Sequence, residues 1–227
     1  MKIISVYNQK GGTGKTTLSI LLSVYLSESG KKVLVLDLDS QESLTHYFTQ
    51  NEKEEKTIFP VLAGMIPVKE AIQKASENLH FVQGDLRILK IQSSVPFNGI
   101  QKLFGKLPYD YLILDHSPSY HNLIVSGLIA SQTLIIPSLL SNFDMKSVSF
   151  TIEEAKEQNP KAKLFTVFNR QNKFSKEMEK SLKNYPVIES SSTVCTFPNF
   201  PTIRKLKFSD KVKAETEKLY YLIEGIV

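Results

Sequence analysis

Short apolar runs alternate with amphipathic stretches along the whole of this 227-residue chain. Ile3, Ile4 and Val6 open it as a β-branched run over 1–7. Leu18, Leu21, Leu22, Tyr25 and Leu26 then recur at helical spacing. Further strand-like runs lie at 31–39, 79–83, 109–115, 133–138 and 164–168. Helical patterning falls at 60–64, 68–75, 122–130, 144–158 and 209–226, and 85–107 reads as helix or loop broken by Pro96, Asn98 and Gly99. The run 31–39 is apolar almost throughout, as a parallel strand covered on both faces requires. Strand alternating with helix predicts an α/β fold with one doubly wound, mostly parallel sheet flanked by helices. No repeat, low-complexity tract or linker interrupts the pattern, so a single domain over 1–227 is expected.

Composition narrows this picture only in places. No apolar run approaches the ~20 residues that cross a bilayer, and the first strand starts at once, so no signal peptide is expected. Cys195 is the one cysteine, which excludes an intrachain disulfide and argues against a cysteine-ligated iron–sulfur cluster. A cytoplasmic protein follows. The net charge of +5 is unevenly placed: residues 1–160 carry 15 Lys/Arg against 16 Asp/Glu, residues 161–213 carry 12 against 4, and residues 214–227 carry 1 against 3. A late basic excess suits a phosphate backbone, although a solvated face gives the same count.

The candidate chemistry centres on Asn8-Gln9-Lys10-Gly11-Gly12-Thr13-Gly14-Lys15-Thr16-Thr17, a glycine-rich loop between the first strand and the first helix. Such a loop turns successive backbone N–H groups into one concavity at a helix N-terminus, where an anion is favoured. Lys15 can reach terminal phosphates, and the Thr16 hydroxyl can ligate Mg²⁺. Asp37 and Asp39 close the second strand, at the sheet end that lines the ligand crevice in open parallel sheets.

With Asn8-Gln9 before it, the loop's early lysine and Gly-Lys-Thr ending resemble the deviant Walker A motif of the ParA/MinD family of P-loop ATPases. The resemblance implies catalytic roles for Lys15, Lys10 and Asp39, with Lys10 reaching the partner's phosphates across a nucleotide-sandwich dimer. It implies nucleotide contacts from Gly11, Gly12, Thr13, Gly14, Lys15, Thr16 and Thr17. The stretch 37–45 resembles the family's Asp-x-Asp-Pro-Gln-Gly-Asn-Leu-Thr, with Ser40 in place of proline and Glu42 in place of glycine. By that match Asp39 positions the attacking water, and Asp37 lies near the Mg²⁺ shell. Tyr-Asp-Tyr-Leu-Ile-Leu-Asp, 109–115, has the form of a Walker B strand whose Asp115 holds Mg²⁺ through water. His116-Ser117-Pro118-Ser119 takes the place of the family's Thr-Pro-Pro-Ser switch. His116 is expected to make a local hydrogen bond, and His46 to be a bystander on a surface helix.

Asn169 matches by position an asparagine that binds adenine in the family. Asn172-Lys173-Phe174-Ser175 lacks the aspartate of a guanine reader, so ATP is favoured over GTP. The segment 197–205 resembles the family segment that packs near the base, through Pro198, and then supplies basic residues. Arg204, Lys205 and Lys207, with Arg170 and Lys173 secondary, are the candidates for binding DNA without sequence preference. The last helix is acidic on balance and lacks a Lys/Arg-rich polar face, so it reads as packed on the core, with no membrane partner. The resemblance therefore implies an ATPase that uses ATP and Mg²⁺, dimerises on ATP, and binds DNA in the nucleoid. A ParB-like partner would stimulate hydrolysis, and the process served would be plasmid or chromosome partition. Two alternatives stay open: a ParA-like positioner of a non-DNA cargo, and an ATP-dependent ligase or synthetase on the same loop.

Overall fold

The computed structural model describes residues 1–49, 56–139, 142–169, 184–197, 201 and 208–226. Among these, eight strands form one sheet: β1 (Lys2–Val6), β2 (Val33–Leu38), β3 (Ile72–Lys74), β4 (Leu79–Val82), β5 (Tyr111–His116), β6 (Thr133–Ser138), β7 (Lys163–Asn169) and β8 (Thr193–Phe197). Their order across the sheet is β3-β4-β2-β5-β1-β6-β7-β8, and every pairing is parallel except β3 with β4. The helices are α1 (Lys15–Glu28), α2 (Ser43–Thr49), α3 (Ile58–Leu62), α4 (Val68–Ala71), α5 (Gly99–Phe104), α6 (Asn122–Ala130), α7 (Asn142–Gln158), α8 (Pro186–Ser191) and α9 (Asp210–Glu224). A single 3₁₀ turn spans Leu86–Lys90.

Side chains that alternate along each strand go to opposite faces, and both faces are covered. Ile4, Val6, Val33, Val35 and Ile113 pack with Leu18, Leu22 and Leu26 of α1 and with Val212, Leu219 and Ile223 of α9. Ile3, Leu34, Leu36, Leu112 and Leu114 face Phe104 of α5 and Leu123 of α6. Leu134, Ile136, Leu164 and Phe168 face Val148 and Ile152 of α7. This double coverage is why the strands read as unbroken apolar runs. Burying each such side chain contributes roughly 1.5–3 kcal/mol before the entropy of ordering it is set against it.

Two local readings of the sequence are corrected. The helix expected over 68–75 stops at Ala71, and Ile72–Lys74 instead pairs antiparallel with β4 through a turn in which Ala75 and Ser76 donate to Leu79 O. The helix expected over 60–64 starts earlier, at Ile58, and ends where Gly64 turns left-handed at φ 71°. An eighth strand, Thr193–Phe197, to which the sequence reading assigned no element, extends the sheet beyond β7. The final helix does pack on the core. It ends at Glu224, because Gly225 adopts φ 71°, and this leaves Ile226 outside its apolar face and 63% exposed.

His116, at the end of β5, is buried against α6. Its Nε2 lies 2.9 Å from Ser5 Oγ, which in turn lies 2.8 Å from Ser131 Oγ, and its ring meets Tyr7 edge-on. The local hydrogen bond expected of it is present. Its ring can sit there only because residue 127 has no side chain, since a Cβ on Gly127 would overlap His116 Cε1 and Nε2. Burial pushes the imidazole pKa down to about 3, so it stays neutral. Gly127→Ala is expected to destabilise the protein by about 1–3 kcal/mol in denaturant unfolding, the usual cost of an overpacked core. Adding His116→Ala should return part of that loss, since the two sites are in contact. An unchanged midpoint for Gly127→Ala alone would show that α6 yields without cost.

Candidate functional site

The loop joining β1 to α1 is built for a ligand larger than its own side chains. Gly12 and Gly14 take left-handed conformations, φ 73° and 96°, and Gly11 and Gly12 have no atom within 4 Å of where a Cβ would stand. The first turn of α1 has no side-chain cap and no acidic residue, so its N-terminal amides are left for an anion. Asn8, fully buried, anchors the loop. Its Nδ2 donates to Pro137 O at 2.9 Å, and its Oδ1 accepts from Lys10 N at 3.0 Å and the Ser147 hydroxyl at 2.5 Å. Lys15 is 7% exposed and donates through Nζ to Lys10 O at 3.1 Å. Burial lowers its pKa, with Asp115 and Asp39 opposing. Lys10 Nζ pairs with the buried Asp144 of α7 at 2.8 Å. Asn169, at the end of β7, donates to Thr13 O, and its buried Oδ1 has no hydrogen-bond partner among the described residues.

Beside the loop lie two buried carboxylates. Asp37 and Asp115 are opposite one another in the register of β2 and β5, and each is 0% exposed. Asp37 Oδ2 accepts from the backbone N and hydroxyl of Thr45, at 2.8 and 2.7 Å, and Oδ1 from Asp39 N at 3.2 Å. It thereby caps α2. A Cβ on Gly84 would press into this carboxylate, 2.9 Å from its Cγ. Asp115 Oδ1 accepts from the Ser19 hydroxyl at 2.9 Å, while its buried Oδ2 has no hydrogen-bond partner among the described residues. Burial pushes Asp115 up to about 8, with the charge of Asp37 adding and Thr16, Ser19 and Lys15 opposing. Burial likewise raises Asp37, to about 6. Asp39 is half-buried, and its Oδ1 accepts from Gln41 N at 3.0 Å.

The fold thus gathers Lys10 to Thr17, Asp37, Asp39, Asp115 and Asn169 at the carboxyl ends of β1, β2, β5 and β7. Thr17 is buried in α1, and His46 is exposed on α2, away from these contacts. Pro198, Arg170, Lys173, Arg204, Lys205 and Lys207 lie outside the described residues. Four contributors escaped the sequence reading: Ser19, Thr45, Asp144 and the anchoring role of Asn8. Ser19 alone left a signal, as a serine on the buried face of α1 among leucines.

Residues 1–166 match the family model described as an AAA domain. An uncharacterized protein of Methanocaldococcus jannaschii is 32% identical over 96% of this chain and 89% of its own length. The cell division protein PomZ of Myxococcus xanthus is 36% identical over 66% of this chain and 51% of its own, and the chromosome partitioning protein ParA of Caulobacter vibrioides is 26% identical over 81% and 76%. Among solved structures, a plasmid partition protein of Borrelia burgdorferi superposes with a TM-score of 0.82 at 22% identity, covering 100% of this chain and 99% of that one. Cobyrinic acid a,c-diamide synthase of Mycobacterium smegmatis, holding an ATP analogue and magnesium, does so with 0.82 at 20%, covering 99% and 97%. The fold and the glycine-rich loop define a domain of the P-loop NTPase type. The chain belongs to the AAA-domain family, in its ParA/MinD-type branch.

Asp115 carries a measurable signature. Its folded pKa lies above its unfolded value of 3.8, so the protonated form favours folding and stability is lost as pH rises from there towards about 8. In nucleotide-free, metal-free protein, Asp115→Asn should therefore raise stability, by about 2 kcal/mol or more at pH 8 and by less at pH 5. Thermal unfolding at the two pH values checks this, and a gain independent of pH would refute the assignment.

Proposed function

We propose that this chain is a ParA-type ATPase that binds Mg·ATP in the 8–17 loop, dimerises on it, and binds DNA without sequence preference. One observation carries the nucleotide part: the uncapped amides of α1 lie under an open glycine loop beside Asp115 Oδ2, which has no hydrogen-bond partner among the described residues. An anion fits the first of these features and a cation the second. Thr16 and Asp115 would hold the Mg²⁺, with Asp37 behind them fixing the chain. The ion when bound supplies charge neutralisation at the phosphates.

The chain's own groups do the rest. The α1 amides and Lys15 hold the phosphate oxygens, and Asp39 orients the water from a turn held against β2. Lys10 leaves Asp144 to reach the phosphates in a second copy. Phosphoryl transfer to water needs mainly such positioning and charge neutralisation. Asn169 is assigned to the adenine, which its Oδ1, without a hydrogen-bond partner among the described residues, supports. Pro198 is assigned to the neighbourhood of the base on the sequence match alone.

The basic excess over 161–213 supports DNA as a partner, with Arg204, Lys205 and Lys207 foremost and Arg170 and Lys173 behind them. Plasmid or chromosome partition with a ParB-like stimulator is the reading closest to the relatives named for partition. The match to a cell division protein supports the same cycle acting on a different cargo.

Binding to arbitrary duplex DNA, measured with ATP, ADP and no nucleotide across a salt series, tests the reading. Affinity should appear with ATP and fall linearly in log–log salt, with a slope of about −0.9 per phosphate contacted. Lys15→Ala should cut turnover by about 10²-fold or more, and Lys10→Ala should abolish dimerisation on ATP. No DNA binding by a confirmed ATP-bound dimer would remove DNA from the function.

A further inference from the structure

Glu42 is the one non-glycine residue with positive φ among the described residues, at 53°. Its carbonyl accepts from His46 N at 2.9 Å, so it stands at the N-cap of α2. An N-cap residue is ordinarily extended, and its own side chain takes the N–H two or three residues on. Here that N–H, on Thr45, is already taken by Asp37 at 2.8 Å. The Glu42 side chain turns the other way and accepts from Leu86 N at 3.0 Å, at the start of the 3₁₀ turn that follows β4. Only 7% of the residue is exposed.

The same few residues tie the surrounding chain together. Glu42 N donates to Asp39 O at 3.0 Å, closing the turn that carries Asp39. Gly84 N donates to Thr45 Oγ1 at 2.7 Å, joining α2 to the exit of β4. Asp85 caps the 3₁₀ turn through Arg87 N at 2.8 Å, and the Thr57 hydroxyl donates to the same carboxylate. A left-handed glutamate persists only where its surroundings over-determine it, and such strain gathers at functional sites.

We propose that Glu42 is a positioning residue. Its carboxylate clamps the Asp39 turn to the Leu86–Lys90 3₁₀ turn, so that Asp39 is held in place before nucleotide arrives. This rests on the ATPase reading for its kinetic consequence but not for the clamp itself. The loop amides and Lys15 lie outside the clamp, so ground-state binding of ATP does not depend on it. Preorganisation of the water-orienting group does.

Three variants separate the components. Glu42→Gly relaxes the backbone and removes the clamp, Glu42→Ala keeps the strain and removes the clamp, and Glu42→Gln keeps an acceptor oxygen. Glycine and alanine should each lower kcat about fivefold or more with KM for ATP within about twofold, and glutamine should restore it. In amide hydrogen exchange of the nucleotide-free protein, Leu86 and residues 39–46 should exchange about tenfold faster in the glycine and alanine variants and at the wild-type rate in the glutamine variant. Wild-type kcat and wild-type exchange in Glu42→Gly and Glu42→Ala overturn the proposal. Should wild-type protein show no ATP turnover, the ATPase reading falls, and exchange at Leu86 still decides whether the clamp exists.

Discussion

Two carboxylates, Asp37 and Asp115, are buried side by side on neighbouring strands, and most of the site is arranged around that electrostatic problem. Neither can be charged there without help, because desolvation and mutual repulsion both favour the protonated form. Asp37 is given three donors and becomes a cap for α2. Asp115 accepts from Ser19 and keeps an oxygen with no hydrogen-bond partner among the described residues. The asymmetry divides the labour. The first carboxylate fixes the chain, and the second is left wanting a cation at the mouth of a loop that wants an anion. Gly84 matters for the same reason, since any side chain there would displace Asp37.

The phosphate loop was legible because all of its determinants are local. A β-branched run, a glycine-rich turn and a helical leucine pattern specify strand, loop and helix within 26 residues of sequence. Central strands were legible too, since burial on both faces leaves continuous apolar runs. What escaped was set by distant partners. Ile72–Lys74 has no apolar run and becomes a strand only because β4 offers it an edge. What Asn8, Ser19 and Thr45 hold becomes visible only when Pro137, Asp115 and Asp37 are brought to them. Tertiary pairing, not local pattern, assigns their roles.

Two departures from the family pattern are compensated in the same way. His116 has taken a switch position and comes with Ser5 to bond it and Gly127 to make room. Glu42 has taken a glycine position, accepted the left-handed backbone that glycine would have supplied freely, and comes with Leu86 N as partner. Each side chain fastens its segment to a neighbouring element. Stiffening of this kind is consistent across levels, in that local oddity and tertiary contact agree.

The place of β1 in the sheet also bears on how the protein is made. Of the eight strands of this sheet β1 is made before the rest, yet its neighbours are β5 and β6, and Asn8 is anchored on Pro137. Until β5 has been made, the loop's strand has no ladder on either side, and until β6 follows it has only one and its anchor has no carbonyl to bind. The nascent chain thus carries its nucleotide-binding element well before it can assemble it. Pairings of such long sequence separation are slow to form and expose apolar edges meanwhile. Nucleotide capture is in this sense a late event in the birth of the molecule, since the loop's residues are translated before both strands that hold β1 in the sheet.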